Sequence, residues 1–183
     1  MVQRCLDGDS EFGVVLIKSG LEVGGPAELH SVGTVARIMD VDRLENDQML
    51  LSIAGRSRFR IEEMTQLTPY LEGEVVVLPE EAEGEIEAEE LDAIRVTVSN
   101  YVRLLMGLSG GWVRETTTPD EPVALSYFIG SLLQVDLVDK QALLEEPNAA
   151  GRLAAEREIL DREVAALRER VTTKMQLKLY TGQ

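Results

Sequence analysis

Few residues in this 183-residue chain are of types that carry out chemistry, and their spacing supports little of it. His30 is the single histidine, the one imidazole able to act as a general base. It lies in a stretch with Gly20, Gly24, Gly25 and Pro26, where an exposed loop histidine is the simpler reading. Cys5 is the single cysteine. A thiol becomes nucleophilic beside a base or a helix N-terminus, whereas Cys5 stands next to Leu6 near a helix end, which suits packing. One cysteine and one histidine give neither an internal disulfide nor the ligand set of a zinc site. Lys18, Lys140, Lys174 and Lys178 do not complete the glycine-rich loop that cradles a nucleotide phosphate. No Gly-x-Gly-x-x-Gly follows a predicted strand, and no Gly-x-Ser-x-Gly elbow occurs. Carboxylates number 33, so some pair always lies close and proximity singles out none as acid and base. The expectation is a chain without catalytic, cofactor-binding or metal-binding residues.

The one local pattern with binding character is Gly55-Arg56-Ser57-Arg58-Phe59-Arg60-Ile61. On a strand Arg56, Arg58 and Arg60 share one face, and Phe59 and Ile61 the other. The arginines are candidate ligand-binding residues, forming a cationic stripe for an acidic peptide or RNA. The same pattern also serves as a plain exposed face balanced by the surrounding acids. Met39, Met49 and Met64 could line an adaptable apolar surface, although core filling accounts for them more simply.

These residues must be held by elements that the composition permits. Apolar residues make up 44% and charged residues 28%, enough for a packed core under a solvated surface. The net charge is −15. Nucleic-acid affinity comes largely from phosphate neutralisation, so nucleic acid is disfavoured as a partner, and so is an anionic membrane surface. Apolar runs such as Val14–Ile17 and Val75–Leu78 fall far short of the roughly 20 residues that span a bilayer. Residues 1–7 carry no apolar leader segment. With no disulfide, these features predict a cytoplasmic protein without membrane contact.

Residues 1–8 read as the end of a helix stopped by Gly8. Glu11–Lys18 reads as a buried strand, and 19–31 as a glycine-rich loop. Strands follow at Val32–Asp40, at Met49–Ile53 with a continuation at Arg58–Met64, and at Gly73–Leu78, with a turn at Asn46-Asp47. Close-set short strands suggest an antiparallel barrel or sandwich rather than βαβ units. Residues 80–90 are dominated by glutamate and read as a solvated connection. Beyond them the apolar period lengthens to that of a helix, with Leu91, Ile94, Val98, Tyr101, Val102 and Leu105 on one side. Glycines 107, 110 and 111 end this helix; others begin near Pro122 and Asp139. Residues 148–179 form one long helix whose stripe, Leu153, Leu160, Val164, Leu167 and Val171, resembles a coiled-coil seam. At 1.5 Å per residue it extends roughly 45 Å, so part of it should project or pack on a partner.

The order of these segments resembles the N-terminal substrate-recognition domain of Lon proteases. The resemblance is carried by Ser10-Glu11-Phe12-Gly13-Val14-Val15, by Gly33-Thr34-Val35-Ala36-Arg37-Ile38 and by Gly55-x-x-Arg58-Phe59-x-Ile61. The strand Gly73–Leu78 continues it, as does Leu137-x-x-Lys140-Gln141-x-Leu143-Leu144-Glu145 ahead of Arg152-Leu153 and the long helix. It implies an α+β fold: a PUA-like β pseudo-barrel at 1–79, an acidic connection at 80–90, and an α-helical bundle with a long C-terminal helix at 91–183. Members of that family open with a Leu/Pro/Phe-rich strand and a following stretch that this chain does not show, so the barrel is expected to be incomplete at its N-terminus, with unpaired strand edges. The family's ATPase and Ser–Lys protease modules have no counterpart here.

Three functions follow as expectations. The first is non-catalytic recognition of unfolded or tagged polypeptide, working with a separate protease or ATPase and needing no cofactor. The second is an RNA-binding PUA-like module resting on Arg56, Arg58 and Arg60. The third is a structural or regulatory module that forms a homodimer through residues 148–179.

Overall fold

The computed structural model describes residues 1–21, 26–45, 48–81, 86–111 and 116–181, with side chains through 174 and at 176. The turn expected at Asn46-Asp47, the glycines at 24 and 25, and the middle of the acidic connection lie outside the described residues. The chain divides into two compact units, Met1–Pro79 and Glu80–Gln183. The fold is α+β, antiparallel strands first and helices after.

In the first unit a short helix, α1 (Val2–Leu6), precedes β1 (Glu11–Val14), β2 (Ile17–Gly20), β3 (Ala27–Leu29), β4 (Val32–Arg43), β5 (Met49–Gln66) and β6 (Glu72–Leu78). Four strands form an open antiparallel sheet in the order β1-β4-β5-β6, and β2 pairs with β3 in a separate ribbon. Among the described residues the sheet does not close into a barrel. The stretch Glu11–Lys18 is not one strand: β1 pairs with β4, whereas β2 pairs with β3. The expected loop 19–31 thus contains a strand. It is anchored where the His30 N–H donates to the Leu16 carbonyl at 2.9 Å. Gly20 closes this ribbon at φ 106°, and a Cβ there would stand 2.3 Å from the Pro26 carbonyl oxygen, which only glycine avoids. β5 runs unbroken through Gly55 because its ladder with β4 absorbs an extra residue there: Ala36 faces Gly55 and Val35 faces Ser57, leaving Arg56 in a bulge.

The core of this unit is small: Val32, Ala36, Ile38 and Phe59 are its buried apolar side chains. Phe59 spans it. A Cβ on Gly33 would lie 2.7 Å from Phe59 Cζ and 2.6 Å from the Val14 carbonyl oxygen, and one on Gly13 would lie 3.0 Å from the same ring atom. The two glycines leave room for the ring to reach across β4 to β1.

The second unit holds α2 (Ala88–Leu108), α3 (Pro122–Leu132), α4 (Leu137–Glu145) and α5 (Ala149–Thr181). Glu89 and Glu90 stand in the first turn of α2, where the helix dipole favours acids. Pro122 opens α3, and the Glu121 carboxylate caps it by accepting the Ala124 N–H at 2.8 Å. Asn148 Oδ1 accepts the Gly151 N–H at 2.8 Å at the start of α5. The apolar stripes of α2, α3 and α5 meet in one core that includes Ile94, Val98, Tyr101, Leu125, Ile129, Leu160 and Leu167. The α5 seam is filled from within the unit: Leu153, Leu160, Val164 and Leu167 are buried there, in packing with α2 and α3. Past Leu167 the described side chains are exposed except for the half-buried Val171, and Lys174 Nζ donates to the Leu108 carbonyl at 2.5 Å.

Candidate functional site

One face of the first unit's sheet carries a cleft of about 470 Å³ lined wholly by that unit. Strand alternation builds its floor. Phe59 and Ile61 are two apart on β5, so they point the same way, and Val75 faces Ile61 across the β5–β6 ladder. Val35 on β4 and Phe12 and Val15 from the β1 region complete an apolar surface. Its rim is polar. Arg4 Nη1 donates to the Tyr70 hydroxyl at 3.0 Å and pairs with Glu72 Oε1 at 2.5 Å, tying α1 to the approach to β6. Glu11 Oε1 is held by Arg37 Nη2 at 2.8 Å, with Arg56 Nε at 3.9 Å. Asp9 and Cys5 also border the opening.

The lining of the cleft contains no histidine or lysine. The arrangement suits burial of apolar side chains beneath a hydrogen-bonding rim, and its volume falls in the roughly 300–1,000 Å³ range of ligand pockets. The apolar surface continues outside the cleft. Val75, Val76 and Val77 on β6 are all about half exposed, on both faces of the strand.

The arginine triplet does not form the continuous exposed face that its spacing suggested. The bulge interrupts the alternation at Arg56, which leans towards Glu11. Arg58 is only 4% exposed, with Nη2 donating to the Pro79 carbonyl at 3.4 Å, and Arg60 is exposed. Arg58 and Arg60 project from the face of β5 opposite Phe59 and Ile61, away from the cleft. Core filling does not account for the methionines either: Met39 and Met49 are exposed, and Met64 lines the cleft.

A buried polar cluster in the second unit escaped the sequence reading. Arg152, 1% exposed, donates through Nε to Ser126 Oγ at 2.8 Å and through Nη1 to the Glu146 carbonyl at 3.1 Å. Its Nη2 pairs with the Glu80 carboxylate, and the guanidinium lies 4.2 Å from the Tyr127 ring centroid. The Tyr127 hydroxyl donates to Glu80 Oε2 at 3.1 Å, closing the ring of contacts. One turn along, the Glu156 carboxylate is fully buried without a hydrogen-bond partner. Burial pushes its pKa up to about 8, opposed by the charge of Arg152 and the nearby Gly130 amide. The seven-residue gap between Leu153 and Leu160 is the signal for it, because helical periodicity demands a core position there and the sequence supplies glutamate.

Among the described residues, no group of three or more His, Cys, Asp or Glu could hold a metal ion, and no helix is long and apolar enough to cross a membrane.

Residues 1–162 match the family model of the ATP-dependent protease La (LON) substrate-binding domain. The chain belongs to the LON substrate-binding domain family. Lon protease 2 of Myxococcus xanthus is 27% identical over 165 residues, covering 88% of this chain and 20% of the relative. A Lon protease of Brevibacillus choshinensis is 30% identical over 159 residues, covering 85% of this chain and 20% of the relative. The chain therefore spans about a fifth of the length of the curated Lon proteases it matches. Two solved structures share the fold. The Lon N-terminal domain protein from Xanthomonas campestris has a TM-score of 0.60 at 24% identity, covering 84% of this chain and 78% of that one. The N-terminal domain of a Mycobacterium avium complex Lon protease has a TM-score of 0.52 at 18% identity, covering 87% and 82%. The LON match ends at 162, within α5.

Proposed function

We propose that this LON-type domain recognises unfolded or tagged polypeptide without catalysing its breakdown, in the cytoplasm and beside a separate protease or ATPase. The observation that carries the reading is the apolar-floored cleft of the first unit, continuous with exposed valines on β6. Monomeric proteins rarely leave contiguous apolar surface open unless it binds something. Membership of a substrate-binding family supports polypeptide as the ligand. The domain boundaries that go with this reading put the recognition surface in 1–79, the acidic connection at 80–90 and a supporting helical part at 91–183.

The test is titration of the purified chain with a permanently unfolded model protein, reduced and carboxymethylated, against a charge-matched folded control. Saturable binding of the unfolded protein alone is expected, without ATP hydrolysis or peptide cleavage. Equal or absent binding of both would defeat the reading. Anion or RNA binding by Arg56, Arg58 and Arg60 has less support, because Arg58 is buried and the net charge is −15. Homodimerisation through 148–179 has less support as well, because most of the α5 seam is packed within its own unit.

A further inference from the structure

The β6 edge has a definite hydrogen-bonding pattern. The Ile61 N–H donates to the Ser31 carbonyl at 2.8 Å, on the β4 side of β5. In an antiparallel strand the N–H and C=O of one residue point the same way and alternate along the chain. Ile61, and Phe59 two residues earlier, therefore direct their backbone groups to β4. Their partners on β6 are Val75 and Val77, in a stretch free of register shifts. These two valines are non-hydrogen-bonded pairs with β5, so their amides and carbonyls point to the outer edge of the sheet, where β6 is the last strand among the described residues. Natural edges are blunted by lysine, proline or inward charge. From 75 to 78 this one carries Val-Val-Val-Leu.

We propose that the outer edge of β6 takes up an extended, β-branched polypeptide segment with basic flanks as an added strand. The proposal rests on the polypeptide-binding reading and specifies its mode. A strand paired with Val75 and Val77 sends alternate side chains to the two faces of the sheet. One set continues the column of Phe59, Ile61 and Val75 at the cleft, and the other falls beside Val76. Charge selects the occupant. Exposed Glu74 directly precedes Val75, the cleft lining carries Asp9, Glu11 and Glu72 against the single cationic side chain of Arg4, and the chain carries −15 overall. A second copy meeting edge to edge would add like charge to like charge, whereas lysines flanking an apolar segment complement it.

The probe is a fluorescein-labelled Lys-Lys-Val-Thr-Val-Thr-Val-Lys-Lys peptide, followed by anisotropy. Two N-methylated versions block alternate backbone amides of the central five residues, leaving every side chain in place. The added strand requires that one version lose affinity about tenfold or more while the other stays within about twofold. Equal effects of the two versions, with the unmodified peptide still binding, overturn strand addition and leave polypeptide recognition standing. No binding of the peptide or of unfolded protein overturns both. On the protein side, Val77→Pro removes an outward amide and no ladder bond to β5. It should lower affinity about tenfold with the thermal unfolding midpoint unchanged, and unchanged affinity overturns the proposal. Sedimentation showing that β6 is consumed by self-association, abolished by Val77→Pro, also overturns it.

Discussion

The two units handle apolar surface in opposite ways. In the helical unit the stripes of three helices converge, and all the largest fully buried side chains of the chain belong to it, from Tyr101 and Leu125 to Leu153 and Leu160. Even a guanidinium and a carboxylate, Arg152 and Glu156, are enclosed there. Among the described residues of the β unit, Phe59 and Arg58 are the large side chains that approach this burial, while Val75, Val76, Val77, Leu50 and Ile53 stay exposed. The contrast follows from geometry. An α-helix gathers its apolar residues on one stripe that a neighbour can cover, whereas an open sheet has two faces and two edges. The first unit thus leaves apolar surface open to solvent, and the second encloses its own.

If the helical unit is the tightly determined one, its buried cluster should be the costliest place to disturb. Arg152→Ala removes at once the guanidinium contacts to the Glu80 carboxylate, Ser126 Oγ and the Glu146 carbonyl, and with them the charge that balances Glu80. It should destabilise the unit by about 3–5 kcal/mol, read as the urea midpoint of helical circular dichroism. A loss under about 1 kcal/mol would mean that the cluster is solvated and the contrast overstated.

Glu156 gives the next effect, through pH. An acid whose folded pKa is about 8 and whose unfolded pKa is near 4.5 releases its proton more readily when unfolded. Its contribution to stability is complete below about pH 4.5, declines as the pH rises, and is gone above about pH 8. Glu156→Gln removes that titration. The variant should gain on the wild type from pH 5 to pH 8.5 by on the order of 3 kcal/mol. Parallel pH profiles for the two proteins would show that the carboxylate is not enclosed in solution.

In the β unit the corresponding test is packing. Gly33→Val places methyl groups where Phe59 Cζ and the Val14 carbonyl already stand. Overpacking of this kind costs about 1–3 kcal/mol. Because it would displace the cleft floor, affinity for unfolded polypeptide should fall with it. Loss of stability with affinity intact would detach the cleft from binding.

How far these features can be read without coordinates depends on their range. The seam of Leu153, Leu160, Val164 and Leu167 is local, set by one helix's period, and it is legible. So is the start of α3 at Pro122. The division of Glu11–Lys18 between the sheet and the ribbon is not, because the Val15-Leu16 break is decided by which strand each half meets. The arginine triplet misleads for a related reason: strict alternation predicts one face, and the bulge opposite Val35 and Ala36 is a property of the pair of strands. The Arg152 cluster joins Glu80, Ser126 and Glu146, which only the folded helices bring together. Glu156 alone left a local trace, a charge at a position where the apolar period calls for a core residue.

The smallest effect concerns Val76, and it bears most directly on why the β unit stays open. Its side chain is about half exposed and lies on the face opposite the cleft, beside Arg60. Because its backbone groups pair inward with β5 and its side chain fills no core, Val76→Thr keeps both the ladder and the β-branched shape. Folding stability should change by less than about 0.5 kcal/mol, as for a surface position. If exposed valines exist to hold a segment, the same substitution should weaken peptide affinity by a few-fold, an effect separable from stability by measuring both on one preparation. A stability loss above about 1 kcal/mol with unchanged affinity would mean that Val76 is packed in solution, and that β6 is a covered strand of the core.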